Sequence, residues 1–248
     1  LFKKFEEKTG IKVNLITAKA EELVSRLSIE GANSPSDILI TADIGNLYEA
    51  KERDLLQGVS SKTLEKNIPA HLRDEGGKWF AITKRARLFV YNPKTINPAH
   101  LDDYFSLTKP EFKGKVITRS STNAYNKSLL ASIIAHHGEE KSLEFVKGLV
   151  NNFARDPKGA DKDQIRAVAS GEADIAIVNS YYLGVMANSG DKVDEEIAKE
   201  VKVFFPAQKT TGAHINISGA GITKFAPNKE NAIKLIEFLT SEEAQGQL

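Results

Sequence analysis

Asp174-Ile175-Ala176-Ile177-Val178-Asn179-Ser180-Tyr181-Tyr182-Leu183-Gly184 runs from an apolar segment straight into the start of a helical pattern. Four consecutive apolar residues after Asp174 read as a strand covered on both faces, because a half-exposed strand would alternate. A helix is predicted to begin at Tyr181. In open α/β sheets, ligands gather at the C-terminal ends of strands, beside helix N-termini. This junction therefore decides both the fold class and where function should be sought. Working outward, residues 164–169 read as a helix ended by Gly171. The same alternation opens the chain: a helix framed by Leu1, Phe2, Phe5 and Ile11 and closed by Gly10, a strand at 12–16, and a helix at 20–29. A short strand at 35–41 and a helix at 45–53 follow. Such alternation predicts an α/β protein with largely parallel strands covered by helices.

Between these ends, Gly76-Gly77 marks a turn before two strands, at 79–83 and 87–91, the second stopped by Asn92-Pro93. Pro98 and Pro110 punctuate a loop-rich stretch with a short helix. A strand at 115–118 and helices at 126–136 and 143–150 come next. After Ala187, a strand is expected at 201–206 and a strand with glycine breaks at 215–222. A last helix, capped by Asn228, places Ala232, Leu235, Ile236 and Leu239 on one stripe. With no repeat, low-complexity run or flexible linker, strands rather than a floppy tether should join two lobes, 1–87 with 214–248, and 88–213. The opening within a helical pattern, and the stop within or just after one, read as a chain with elements missing at both ends.

Composition narrows the chemistry. In 248 residues, 34 Lys and Arg face 33 Asp and Glu, for a net charge of +1. That balance removes the electrostatic case for a nucleic-acid or anionic-membrane partner. There is no cysteine, which excludes disulfides, thiolate zinc sites, iron–sulfur clusters and thiol nucleophiles. A bound metal would need O and N donors, hence a hard or borderline ion. No segment approaches the ~20 apolar residues of a membrane span, and no signal-peptide pattern is present. Serine-nucleophile, Walker and kinase motifs are absent.

Tyr181 and Tyr182 offer two adjacent phenols at a helix N-terminus, where partial positive charge eases ionisation. A tyrosinate is a hard anionic donor suited to ferric iron. The same pair can also pack a core edge or line a cleft for a ring-shaped ligand. A second strand-to-helix junction, Arg119-Ser120-Ser121-Thr122-Asn123-Ala124-Tyr125-Asn126, combines hydroxyls with free helix N–H groups. It reads either as an anion nest beside Tyr125 or as a plain helix cap. Lys84-Arg85-Ala86-Arg87 places cations between apolar segments, to pair with an acidic neighbour or to neutralise a small anion. His136 and His137 fall at a helix C-terminus, which the helix dipole favours, and lack the i, i+4 spacing of a helical zinc site. His214 reads as a hinge or cleft residue. Gly219-Ala220-Gly221 is not a dinucleotide fingerprint, since it lies in a strand pattern.

These segments together resemble the periplasmic ferric-iron-binding proteins of bacterial ABC importers, close to their tyrosine-rich branch. The resemblance spans essentially the whole chain. It is carried by Phe5-Glu6-Glu7-Lys8-Thr9-Gly10-Ile11-Lys12-Val13, by Asn33-Ser34-Pro35-Ser36-Asp37-Ile38-Leu39 and by Thr83-Lys84-Arg85-Ala86-Arg87. The segment from Arg119 to Asn126, the segment from Ser170 to Tyr182, Val203-Phe204-Phe205-Pro206 and His214-Ile215-Asn216-Ile217-Ser218-Gly219 complete it. The first two are shared with many solute-binding proteins and speak to fold; the tyrosine-bearing segments speak to ligand.

The resemblance implies a type II periplasmic-binding-protein fold, α/β, two-lobed, each lobe a mixed sheet flanked by helices with hinge strands between lobes. It implies capture of ferric iron in an interlobe cleft by Tyr125, Tyr181 and Tyr182, without chemical turnover. Arg85, with Ser121 and Asn123, is the implied anion-binding or charge-balancing group, and carbonate or another synergistic anion the implied companion. A glutamate ligand of some relatives falls at Ala42 here, and a further ligand of many relatives falls before Leu1. The implied partner is an ABC importer permease, and the implied state a monomer in the periplasm or anchored at the outer face of the cytoplasmic membrane. Three phenolates match the charge of a trivalent cation. The rival readings are a binding protein for an oxyanion, thiamine or polyamine, an enzyme or effector domain on the same fold, and a divalent-metal site at His136 and His137.

Overall fold

The computed structural model describes residues 1–247. The chain divides into two compact units, residues 1–84 with 216–248 and residues 85–215. The boundaries thus fall after Lys84 and Ile215, and Arg85, Arg87 and His214 lie in the second unit rather than at the edge of the first. In chain order the first unit opens with α1 (Phe2–Thr9), α2 (Ala20–Glu30), β1 (Ile38–Thr41), α3 (Ile44–Glu52) and α4 (Lys62–Asn67), and β2 (Phe80–Tyr91) begins in it. The second holds β3 (Val116–Ile117), α5 (Ala124–Asn151), α6 (Asp161–Ala169), β4 (Ile175–Asn179), α7 (Tyr181–Ala187), α8 (Lys192–Glu200) and β5 (Lys202–Phe204). The chain re-enters the first unit along β6 (Ile215–Ile222) and ends with α9 (Lys229–Leu239) and α10 (Glu242–Gln245).

In the first unit β1 pairs antiparallel with β6, Ile38 opposite Ile222 and Thr41 opposite Gly219. Strand β6 lies next to β2. Its two glycines serve that neighbour. A Cβ on Gly219 would stand 2.7 Å from the Phe80 carbonyl oxygen, and one on Gly221 would stand 2.6 Å from that of Lys78. The glycines therefore do not break the strand; they let two backbones approach. Phe5 of α1 is buried against Leu235, Phe238 and Leu239 of α9. Gly10 ends α1 in the left-handed region, φ 72°, as its sequence position predicts.

In the second unit β2 lies between β4 and β5, antiparallel to both, and β3 runs parallel to β4. Both faces are covered, and alternation sorts the side chains. Phe89, Tyr91, Ile175 and Ile177 face Tyr104, Leu107, Leu129 and Phe145. Leu88, Val90, Ala176 and Val178 face Ile165, Val168 and Met186. Full burial of a side chain such as Phe89 is worth ~1.5–3 kcal/mol.

Several expectations are corrected. The sheets are not largely parallel, because a parallel pair needs a long crossover; here the stretch carrying α5 and α6 supplies one between β3 and β4. The strands expected at 79–83 and 87–91 are one continuous strand: Lys84 points to solvent while Arg85 and Arg87 are buried. Residues 12–16 alternate but belong to no strand, and Leu15 and Ile16 are exposed. Helices α4 and α8 are additional. The helices expected at 126–136 and 143–150 are α5, broken at Gly138, whose φ is 78°. Asn228 precedes α9 but makes no side-chain cap; its amide donates to Asp37 at 3.2 Å instead. Among the described residues no helix is long and apolar enough to cross a membrane.

Candidate functional site: a tyrosine cluster in the second unit

Two strand-to-helix junctions carry the candidate residues. Strand β4 ends at Asn179, and α7 begins two residues later with Tyr181 and Tyr182. Ser180 clamps this turn to β2: its N–H donates to the Ala86 carbonyl at 2.9 Å, and its hydroxyl accepts from the Ala86 N–H at 3.2 Å. The other junction leads from β3 into α5. There Asn123 accepts from the Tyr125 N–H at 3.0 Å and so caps the helix, while the Ser120 and Thr122 hydroxyls lie 3.0 Å apart. Ser121 is exposed beside them.

The structure brings Tyr125, Tyr181 and Tyr182 together. The rings of Tyr181 and Tyr182 stack with centroids 4.3 Å apart. Burial, then hydrogen bonding to the Tyr182 and Tyr125 hydroxyls, holds the Tyr181 phenol well above its ordinary value. This reverses the expectation from the helix N-terminus: desolvation and two neighbouring phenols outweigh the dipole of a short helix. Tyr181 as a residue nevertheless keeps 40% of its surface exposed. Cations surround Tyr125. The Arg85 guanidinium lies 4.9 Å from its ring centroid and the Arg119 guanidinium 5.2 Å, both within cation–π range.

Arg87 and Arg119 share one acidic partner, Asp161, at 2.8 and 2.9 Å. Burial works against the charge of Arg119, but the hydrogen bond and charge of Asp161 prevail and hold it above its ordinary value. For Arg87, buried deeper, desolvation prevails and pulls it below. Arg119 and Asp161 are the residues that sequence reasoning missed as a pair. They stand 42 positions apart, and no local pattern joins them.

His136 and His137 are exposed on α5, and the His137 ring packs edge-on against Phe105 with centroids 5.0 Å apart. Among the described residues no group of three or more His, Asp or Glu is placed to hold a metal. His214 contacts the Ser128 hydroxyl through Nε2 at 3.0 Å, and its N–H donates to the Tyr104 hydroxyl at 2.9 Å. Burial, with repulsion from Arg87, Arg85 and His136, lowers its pKa to about 4. A histidine lowered in the fold stays neutral there while the unfolded chain takes up a proton. Stability is therefore full above pH ~6.5 and declines as pH falls towards 4, by up to ~3 kcal/mol. Denaturant midpoints from pH 7.5 to 4.5 should show this slope, and His214→Gln should flatten it.

An α/β unit that gathers hydroxyls and cations at the ends of its strands is a unit for holding a small polar or ionic ligand. Residues 1–246 match the family of bacterial extracellular solute-binding proteins, and the chain belongs to that family. It is 51% identical to iron uptake protein A1 of Synechocystis over 248 residues, all of this chain and 69% of that protein. The major ferric iron-binding protein of Neisseria gonorrhoeae is 27% identical over 249 residues, 98% of this chain and 72% of that protein. Among solved structures, the ferric binding protein from Campylobacter jejuni superposes with a TM-score of 0.93 at 53% identity, over 98% of this chain and 78% of that one. A Trichodesmium protein (IdiA, FutA) in complex with iron and citrate gives 0.93 at 48% identity, over 99% and 78%. The fold is thus the α/β fold of the periplasmic binding proteins.

Proposed function

We propose that the chain captures ferric iron through Tyr125, Tyr181 and Tyr182 and delivers it to an ABC importer permease. The observation that carries this reading is the convergence of three phenols, linked by hydrogen bonds in one unit, with two guanidiniums over Tyr125. Three phenolates cancel a trivalent charge, and the guanidiniums limit surplus negative charge when an anion joins the metal. Arg85, Ser121 and Asn123 are assigned to that anion, with carbonate or a carboxylate as its class. Because the Asn123 side chain already caps α5, its remaining capacity is the amide N–H₂. One named relative is an iron uptake protein and the other a ferric iron-binding protein, and they support the same reading. The two units are taken as the lobes of a monomeric binding protein that acts by capture and release, without turnover, on the outer side of the cytoplasmic membrane.

Titration with ferric citrate tests this reading. A visible tyrosinate-to-iron charge-transfer band should rise and saturate at one iron per chain; a colourless, iron-free product sinks it. Phenols are protonated at neutral pH and must lose protons to bind a metal. Affinity should therefore rise with pH, by about one decade per pH unit for each proton released. Competition against a chelator of known affinity between pH 6 and 8 measures that slope.

A further inference from the structure

We infer that Asp161 is a positioning residue for the iron site: one buried carboxylate fastens together the two chain segments that present the tyrosines. The inference rests on the ferric reading above. Asp161 opens α6, carries no candidate ligand on its own helix, and is fully buried. Its carboxylate is engaged on both oxygens. Oδ1 accepts from Arg87 Nη1 at 2.8 Å and from the Asn179 N–H at 3.1 Å, and Oδ2 accepts from Arg119 Nη1 at 2.9 Å.

Each donor leads to a tyrosine. Asn179 is the last residue of β4, two positions before Tyr181, so its N–H fixes the exit of the strand that presents Tyr181 and Tyr182. Arg119 lies over the Tyr125 ring. Arg87 joins the two sides: it donates to Asn179 Oδ1 at 3.3 Å and, through Nη2, to Asn126 Oδ1 at 2.6 Å. Asn126 follows Tyr125, and its own amide donates to the Arg119 carbonyl at 2.7 Å. Removing the carboxylate would release both junctions and leave Arg87 and Arg119 facing each other without a counter-charge.

Stability alone is a weak reason for this arrangement. Buried ion pairs roughly break even against apolar packing. Two buried donors of this cluster, Arg87 Nε and Asn179 Nδ2, have no partner among the described residues, so the network is not saturated. What it does supply is fixed geometry, the part that partners behind metal ligands play.

The test compares Asp161→Asn and Arg119→Gln with the wild-type chain and with Asp194→Asn. Asp194 is a buried carboxylate of the same unit that pairs with Arg166 and Lys162. Ferric affinity by chelator competition, the charge-transfer band of the iron-saturated protein and the melting temperature of the iron-free protein are read for each. Asp161→Asn should weaken iron binding ~10–100-fold and displace the saturated band. Arg119→Gln, whose side chain sits partly at the surface, should do the same to a lesser degree and keeps the test open if Asp161→Asn does not fold. Arg119→Lys should recover part of the band but not all, since an ammonium keeps the charge and loses the planar fork. Asp194→Asn should lower the melting temperature and leave the band in place. Unchanged affinity and band in folded Asp161→Asn or Arg119→Gln overturns the inference. So does a loss confined to melting temperature. A wild-type chain without a band overturns the ferric reading instead.

Discussion

Tyr181→Phe combined with Tyr182→Phe should abolish the visible band and weaken ferric binding by at least ~10³–10⁴-fold. The magnitude follows from the chemistry of ligands against that of their supports. Removing a partner behind a ligand typically costs 10–100-fold, and removing two anionic donors from a trivalent ion costs more than two such steps. The loss should come without unfolding. Tyr181 is 40% exposed, and Tyr182 and Leu183 flank the core on its partly buried side, so two hydroxyls can go while both rings stay. The single variants separate the roles. Tyr181, whose phenol interacts with both neighbours, should cost the most when replaced. Equal band intensity in wild type and double variant, at saturating iron, would refute the assignment.

The second large effect concerns stability. Gly219→Val should destabilise the first unit by ~3 kcal/mol or more. A Cβ there would stand 2.7 Å from the Phe80 carbonyl oxygen and 2.9 Å from Leu47 Cδ1, and a backbone oxygen in a strand cannot swing aside as a flexible side chain can. Overpacking alone typically costs 1–3 kcal/mol, and a shift of strand register or spacing adds to it. Thermal or denaturant unfolding followed at Trp79, which packs beside this core, should show the loss. Gly212→Ala is a useful contrast: its φ is 78°, with no atom within 4 Å of the added Cβ, so its cost should be limited to the backbone term of ~1 kcal/mol.

Much of this architecture is written in short-range pattern. Residues 181–187 form the helix predicted from Tyr181, the apolar run before them is a strand buried on both faces, and Gly10 and Gly138 end helices where a left-handed residue is needed. The tyrosines are legible for the same reason, since they sit at strand-to-helix junctions. What pattern does not carry is partnership across distance. The alternation at 12–16 reads as a strand, yet strand formation depends on a neighbour, and none pairs with it among the described residues. Lys84-Arg85-Ala86-Arg87 reads as an interruption because its charges stand between two apolar segments. Asp161 supplies the counter-charge that lets Arg87 be buried within the continuous strand, and nothing in positions 84–87 announces it. The glycines of β6 look like breaks because the carbonyl oxygens of Lys78 and Phe80, which require them, lie well over 100 residues earlier.

The division of the chain also sets an order of events during synthesis. Residues 85–215 form the second unit without help from either end of the chain, so it can close while later residues are still being made. The first unit cannot. Strand β1 must wait for β6, and Phe5 must wait for Phe238, whose ring will lie 5.6 Å away. Residues 1–84 therefore carry uncovered apolar surface until β6 and α9 have been made. It is this half, and not the half that bears the tyrosines, that should depend on holding factors and be the first to aggregate when synthesis stalls.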